Sequence, residues 1–256
     1  MRPWEHDPPP ILYKYLGPDR LDVLINCRIR FSQRTAFHDD HELQPDYASF
    51  GSEGEIWEML LYHQILHPES KPIAPGMSLP HFVELVARDP RLQERVKQIA
   101  ISSMKSPDEM GVLCLTANAD STDMWNEYAA DGTGFVLGFQ TGHPGFESLS
   151  TPGKLGKVDY SDEPFGSYLG AAFDHGAGTF YRKRMNYACE QEWRCIRMLK
   201  QLERNAGEIY LAQLDPAAIQ GIVITDRCSI QVELRHLVQE DYRYQHLEIA
   251  IRGQIL

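Results

Sequence analysis

The sequence predicts an α+β fold with mixed and antiparallel β-sheets and a helical insertion. Several strand patterns follow one another with no helix between them, unlike the regular alternation of a doubly wound parallel sheet. Three helical patterns lie together at about residues 55–105. The chain has 256 residues, of which 43% are hydrophobic, so we expect a single domain over 1–256 that contains this insertion.

The elements of the first half follow from hydrophobic periodicity. Alternating apolar residues predict strands, and apolar residues at helical spacing predict helices. In order, the expected elements are a strand at 11–16, a short helix after Gly17, a strand at 27–32 with one polar face, helices at about 55–67, 79–88 and 90–104, and a buried strand at 111–116.

The second half predicts shorter elements separated by glycine- and proline-rich turns. Capping residues mark two of the helical starts. In order, we expect a helix at 124–129 after Ser121, strands at 134–139 and 157–160, a helix at 180–187, strands at 189–197 and 208–214, a helical turn after Asp215, a strand at 221–225, a helix at 229–238 and a strand at 247–251.

Composition and charge argue against several kinds of partner. The formal net charge of -11 disfavours strong general binding to nucleic acid or to anionic membranes. The basic run at 181–184 is interpreted as a solvated helix face or helix end. No stretch has the length of a membrane span, and the first residues lack the apolar run of a signal peptide.

The five cysteines predict the compartment. None has CxxC spacing and several lie in apolar runs. This pattern is typical of buried, reduced thiols, so we expect a cytoplasmic protein.

The stretch at 189–197 carries the first candidate site. As a strand, it would place Glu190, Glu192 and Arg194 on one face and Trp193 on the other. Two carboxylates and a guanidinium in one row could line a polar cleft, where Arg194 relieves the repulsion between the acids. The alternative is the solvated face of an edge strand with weak ion pairs.

The loop at 33–54 raises the question of a metal. It contains His38, Asp39, Asp40 and His41 in succession, and these side chains can bind zinc or iron. There is no HExxH spacing, however, and aspartates in loops commonly bond backbone N–H groups. We therefore predict no metal site.

The helix at 124–129 carries an aromatic pair. Trp125 and Tyr128 are three residues apart and share one helical face. Core packing is the default for such a pair. The functional alternative is an aromatic wall for a flat ring, such as nicotinamide or adenine.

Five motifs occur in a specific order. They are Tyr13-Lys14-Tyr15, Arg30-Phe31-Ser32, Phe37-His38-Asp39-Asp40, Met124-Trp125-Asn126-Glu127-Tyr128-Ala129 with Gly134, and Glu190-Gln191-Glu192-Trp193-Arg194. In this order they resemble the bacterial domain-of-unknown-function family 2971 over most of the chain. The chain departs from the family pattern at His38 and Asp40, and more mildly at Tyr187.

The layout of that family resembles a divergent ADP-ribosyltransferase, which implies an enzyme with NAD as its substrate. The resemblance implies Glu192 as the catalytic acid residue and Glu190 as a second carboxylate that orients or deprotonates the acceptor. The implied nucleotide contacts are Tyr13, Lys14, Tyr15, Arg30, Ser32, Trp125, Tyr128 and Arg194.

Two activities fit this resemblance, namely transfer of ADP-ribose to an unknown acceptor and hydrolysis of NAD. Cleavage of the nicotinamide–ribose bond passes through an oxocarbenium-like state that a carboxylate can stabilise. The alternatives are a non-catalytic binding or defence-system component and a metal-dependent hydrolase that uses the loop at 38–41.

Overall fold

The computed structural model describes residues 2–37, 42–43, 46–66, 68, 76–103, 107–150, 154–173 and 177–253. These residues form helices and strands around a seven-stranded sheet. The predicted α+β class with mixed, largely antiparallel sheets is confirmed. The likeness of the fold to ADP-ribosyltransferases stays a prediction.

The strands and helices are numbered here in chain order. The strands are β1 (Ile11–Leu16), β2 (Arg28–Phe31), β3 (Tyr47–Ser49), β4 (Met110–Thr116), β5 (Phe135–Gln140), β6 (Lys154–Lys157), β7 (Asp159–Tyr160), β8 (Phe165–Ser167), β9 (Arg182–Lys183), β10 (Glu192–Met198), β11 (Glu203–Asn205), β12 (Ile209–Gln213), β13 (Ile219–Ile224) and β14 (Ile249–Ile251). The α-helices are α1 (Asp22–Ile25), α2 (Glu53–Leu66), α3 (Leu79–Arg88), α4 (Pro90–Ser103), α5 (Thr122–Tyr128), α6 (Pro144–Ser150), α7 (Tyr168–Phe173) and α8 (Gln231–Glu240).

The large sheet has the strand order β14-β13-β5-β1-β4-β10-β6. Its neighbours are antiparallel except β13 and β14, which are parallel. β1 pairs with β5 along its whole length but with β4 only at Tyr13 and Thr116. β4 and β10 pair along seven residues. β1 and β4 pair at one position only, and residues of both strands line a cavity.

The main hydrophobic core lies on one face of this sheet. Leu12, Leu115, Leu137 and Trp193 from four neighbouring strands are buried there. The alternation predicted for the late strand is correct in this respect, because Trp193 lies in the core while Arg194 faces the opposite side. That opposite side carries the polar groups described below.

Three helices follow β3 and precede β4, at the positions where the sequence predicted them. Together with α7, they enclose a separate hydrophobic cluster that includes Ile56, Phe82, Val86 and Val96. Their status as an insertion within a single domain stays a prediction. Among the described helices, none combines the length and the apolar character that crossing a bilayer requires.

The predicted helix at 180–187 is wrong. Two 3-10 turns, Ala177–Tyr181 and Met185–Glu190, flank the short strand β9 instead. β9 pairs in parallel with β7, and Lys183 makes buried ion pairs. These tertiary contacts outweigh the local helix propensity. The interpretation of 181–184 as a solvated helix face is therefore wrong as well.

The predicted strand at 189–197 begins three residues late, at Glu192. Gln191 has left-handed backbone torsions, which end the preceding 3-10 turn. Sequence periodicity also missed α6, where a proline at the first helical position starts a helix inside a predicted turn. β3, β8, α7 and β11 are further elements that no prediction named.

The cysteines differ in exposure. Cys27, Cys195 and Cys228 are buried, Cys114 is half-buried, and all five thiols are free. Cys189 is exposed, contrary to the expectation of buried thiols, because it lies on the outer side of a 3-10 turn.

Candidate functional site

A cavity of about 290 Å³ opens beside β1, β4 and the start of β10. Small-molecule sites commonly have volumes of about 300–1,000 Å³, so this one suits a nucleoside-sized group. The cavity brings together seven of the predicted site residues, which are Tyr13, Lys14, Tyr15, Ser32, Tyr128, Glu190 and Glu192.

Trp125 does not line this cavity. Its side chain is only 1% exposed, its ring meets Tyr15 edge-on at 5.3 Å, and its Nε1 donates to the carbonyl of Ala119 at 3.1 Å. The core alternative is therefore correct for Trp125, and Tyr128 is the member of the aromatic pair that faces the cavity.

Arg194 and Arg30 also lie outside the cavity wall. Arg194 is fully buried behind Glu192, and its guanidinium donates its hydrogen bonds to protein groups, so it cannot touch a ligand in the cavity. Arg30 is half-buried, and its Nε has no hydrogen-bond partner among the described residues. Its positive charge nevertheless acts on Lys14.

A change of backbone conformation at Gln191 positions the two carboxylates. The left-handed Gln191, with φ of 46°, separates the 3-10 turn that carries Glu190 from β10, which starts with Glu192. Thr116 Oγ1 donates to the carbonyl of Glu190 at 2.5 Å. The N–H of Glu192 donates to Tyr160 Oη at 2.7 Å. Both carboxylates thus reach the cavity although only one of them lies on a strand.

Lys183 joins the acids of the site. Its Nζ lies 2.6 Å from Glu190, 3.4 Å from Glu192 and 3.7 Å from Glu42. The same ammonium lies 4.6 Å from the centre of the Tyr187 ring, a cation–π contact. One lysine therefore holds three carboxylates at the cavity wall.

Arg194 bonds two carboxylates of this cluster on the side away from the cavity. Its Nε and Nη2 donate to both oxygens of Glu192 at 2.8 and 2.9 Å, and its Nη1 donates to the carbonyl of Phe180 at 2.8 Å. Nη2 also donates to Glu42. The bidentate pairing holds the Glu192 side chain in one orientation.

Glu190 has a different environment. Its Oε1 accepts a hydrogen bond from Tyr128 Oη at 3.0 Å, and its Oε2 accepts the bond from Lys183. Tyr128 is 38% exposed. A ligand that displaces this hydroxyl therefore gains direct access to the Glu190 carboxylate.

Burial and ion pairing move the pKa values of the cluster in different directions. Burial acts to raise the pKa of Glu192, but Arg194 and Lys183 outweigh it and hold that pKa at about 2. Burial acts to lower the pKa of Lys183, while Glu192, Glu42 and Glu190 raise it above its usual value. At Glu42, burial prevails over Arg194 and Lys183, so its pKa is raised. Glu192 and Lys183 are therefore both charged at neutral pH.

Sequence reasoning missed several groups of this site. Lys183, Glu42 and Tyr187 line the cavity, and Tyr160 positions Glu192. The basic run that contains Lys183 was the available signal, because a lysine near two acidic residues in sequence can pair with them in a turn. Glu42 and Tyr160 are distant in sequence, and only the fold brings them to the site.

The predicted histidine loop, His38 with Asp39, Asp40 and His41, lies outside the described residues. Among the residues that the structure does describe, no group of three or more histidine, cysteine or acidic side chains is arranged to hold a metal ion. The absence of a metal site over the whole chain stays a prediction.

Comparison with known proteins gives one match. Residues 124–195 match the family model described as "Protein of unknown function (DUF2971)". The segment runs from Met124 in α5 to Cys195 in β10, and it confirms the resemblance for the motifs at 124–129 and 190–194. No curated protein and no solved structure matches the chain.

Proposed function

We propose that this chain binds NAD in the cavity and cleaves its nicotinamide–ribose bond, as the resemblance of its motif layout to ADP-ribosyltransferases implies. The observation that carries the proposal is the pair Glu190 and Glu192, two cavity-facing carboxylates held by one ammonium. The product is either ADP-ribose on an acceptor or free ADP-ribose after attack by water.

The charge arrangement suits an oxocarbenium-like state. A carboxylate that stays ionised in a partly buried site stabilises the positive charge that develops on the ribose carbon as the bond breaks. The resemblance implies Glu192 for this role, but we assign it to Glu190, because one oxygen of Glu190 is bonded to Tyr128, a partly exposed residue of the cavity wall. Glu192 has both oxygens bonded to Arg194. It therefore serves to keep Lys183, and through it Glu190, in position.

The walls of the cavity suit the nicotinamide ring. Tyr13, Tyr128 and Tyr187 line it, together with Phe37. Pyridinium is a flat cation, and tyrosine faces attract such cations. The volume of about 290 Å³ leaves the adenylate part of NAD outside the cavity. Arg30, whose charge acts on Lys14 in the cavity wall, is the guanidinium that we assign to the phosphates.

A second candidate function is nucleotide binding without catalysis. The dense ion pairing of Glu192 and Arg194 favours it, because a carboxylate whose oxygens are both bonded can be purely structural. Binding of NAD with no release of nicotinamide would support this second function.

The test incubates the pure protein with NAD and measures free nicotinamide. The wild-type protein is expected to release it. Glu190→Gln is expected to lower turnover by about 10²–10³-fold, because glutamine cannot offer a full negative charge to the developing cation. The matched control is Glu203→Gln, an exposed acid paired with Arg28 on another sheet, which should not change the rate. Equal turnover in wild type and Glu190→Gln would disprove the assignment, and melting temperatures would show that each variant is folded.

A further inference from the structure

Two lysines line the same cavity in opposite electrostatic settings. Lys183 touches three carboxylates. Lys14 Nζ instead donates to the backbone carbonyl of Cys114 at 2.9 Å, and in the described part of the chain it has no carboxylate within ion-pair distance. The resemblance implies a nucleotide contact for Lys14, and the proposed cleavage assigns no chemical step to its amine.

The surroundings of Lys14 disfavour a positive charge on it. Burial lowers its pKa, and the charges of Arg20 and Arg30 lower it further, against the opposing effects of Cys114 and Glu192. A lysine with a lowered pKa has a larger fraction of unprotonated amine at a given pH, and the free electron pair of that amine is what a nucleophilic lysine uses.

We propose that Lys14 is a nucleophilic amine that forms an imine with the aldehyde or ketone group of a small ligand in this cavity. Its position carries the inference, because the amine lines the cavity wall and is bonded to a neutral carbonyl rather than to an acid. Lys183 is paired with three glutamates, so Lys14 is the lysine of this cavity whose amine is open to an uncharged carbonyl group.

The reaction is balanced without any further reactant. The nitrogen electron pair attacks the carbonyl carbon and forms a C–N bond, while the carbonyl oxygen becomes a hydroxyl. Loss of that oxygen, together with two protons from the nitrogen, as one molecule of water leaves the imine. Water added to the imine reverses the reaction.

The experiment treats the full chain with glycolaldehyde and sodium cyanoborohydride, which reduces an imine to a stable secondary amine. Peptide mass spectrometry then gives the rate of modification at each lysine. At pH 7 we expect Lys14 to react at least about tenfold faster than the exposed Lys200, because more of the Lys14 amine is unprotonated. The Lys14 rate should also stay high at lower pH than the Lys200 rate does.

The control variant is Lys14→Arg, which keeps a donor for the Cys114 carbonyl but cannot form an imine. It should lose the adduct at position 14 and keep the modification pattern of the other lysines. Modification of Lys14 at the Lys200 rate or slower, in folded wild-type protein, would overturn the inference. No NAD is present, so this result is independent of the outcome of the nicotinamide assay.

Discussion

Arg194 shows how much a single side chain contributes to this site. It is fully buried, and its guanidinium bonds two carboxylates and one carbonyl. Exposed ion pairs contribute little to stability, whereas removal of one partner of a buried pair leaves the other charge without compensation. The stability of the polar cluster therefore depends on Arg194 more than on any contact at the surface.

We expect Arg194→Met to lower the free energy of unfolding by about 3–5 kcal/mol, since Glu192 and Glu42 would stay buried without the guanidinium that bonds them and would keep only the more distant contacts to Lys183. Denaturant unfolding measures this change. Arg204→Met is the matched control, because Arg204 pairs with Glu208 on the surface. A loss for Arg194→Met as small as that of the control would show that the cluster is not a buried ion-pair network.

The pKa of Glu192 predicts a dependence of stability on pH. Its pKa is about 2 in the folded protein, against an ordinary value of 4.5. A carboxyl group whose pKa is lower in the folded than in the unfolded protein stabilises the folded state at pH values above the unfolded-state pKa. This contribution is lost as the pH falls to the folded-state pKa. The pKa of Glu42 is raised instead, so its effect on stability falls at pH values above 4.5 and not in the range where Glu192 loses its contribution.

We therefore expect the free energy of unfolding to fall between pH 4.5 and pH 2, and Glu192→Gln to flatten that decline. Unfolding curves at a series of pH values in this range measure the two slopes. Identical slopes in wild type and Glu192→Gln would mean that Glu192 is not held ionised by Arg194 and Lys183.

At the scale of elements, the junction between α5 and β5 controls how the cavity wall is placed. α5 carries Tyr128, and its N-cap residue is Ser121, whose side chain accepts a hydrogen bond from the N–H of Met124. Gly134 follows the helix, and a Cβ there would lie only 2.0 Å from the carbonyl oxygen of Leu16. The close approach of β1 and the start of β5 thus requires glycine.

We expect Gly134→Ala to lower stability by about 1–3 kcal/mol or more, because the backbone of β1 must move away from the new methyl group. Thermal unfolding measures the loss. The control is Gly142→Ala, where nothing lies within 4 Å of the new Cβ. Equal melting temperatures for the two variants would contradict the close contact.

The elements that sequence predicts well are those with strong local patterns. β1 has the predicted bounds of 11–16, and the helices α2 to α4 lie within about two residues of theirs. The prediction for residues 177–191 was wrong because the conformation of this region depends on residues that are distant in sequence. These are the pairing partner β7 and Thr116, which donates a hydrogen bond to the carbonyl of Glu190. Local propensity carries no information about such contacts.

At the scale of the whole molecule, the fold assembles the site from widely separated parts of the chain. Tyr13, Cys114, Tyr128, Lys183 and Glu190 all line one cavity. Sequence reasoning found most of the residues that carry a motif, but it could not tell which of Trp125 and Tyr128 is core or that Arg194 lies behind the wall. Those distinctions depend on side-chain burial, which only the packed structure determines.

The charge of the molecule has separate global and local consequences. The net charge of -11 disfavours polyanions, and the absence of strong general nucleic-acid binding stays a prediction. Within the cavity, Lys183 still provides a local cationic group. A single small anionic ligand is therefore compatible with an acidic protein.

The most direct test of the account is a crystal structure of the Glu190→Gln variant with NAD, because this variant should bind the substrate without cleaving it. We expect electron density for the nicotinamide ring in the cavity beside Tyr128, with the ribose against residue 190 and the adenylate part outside. NAD bound at another surface, or an empty cavity at saturating NAD, would contradict the assignment of this cavity as the nucleotide site.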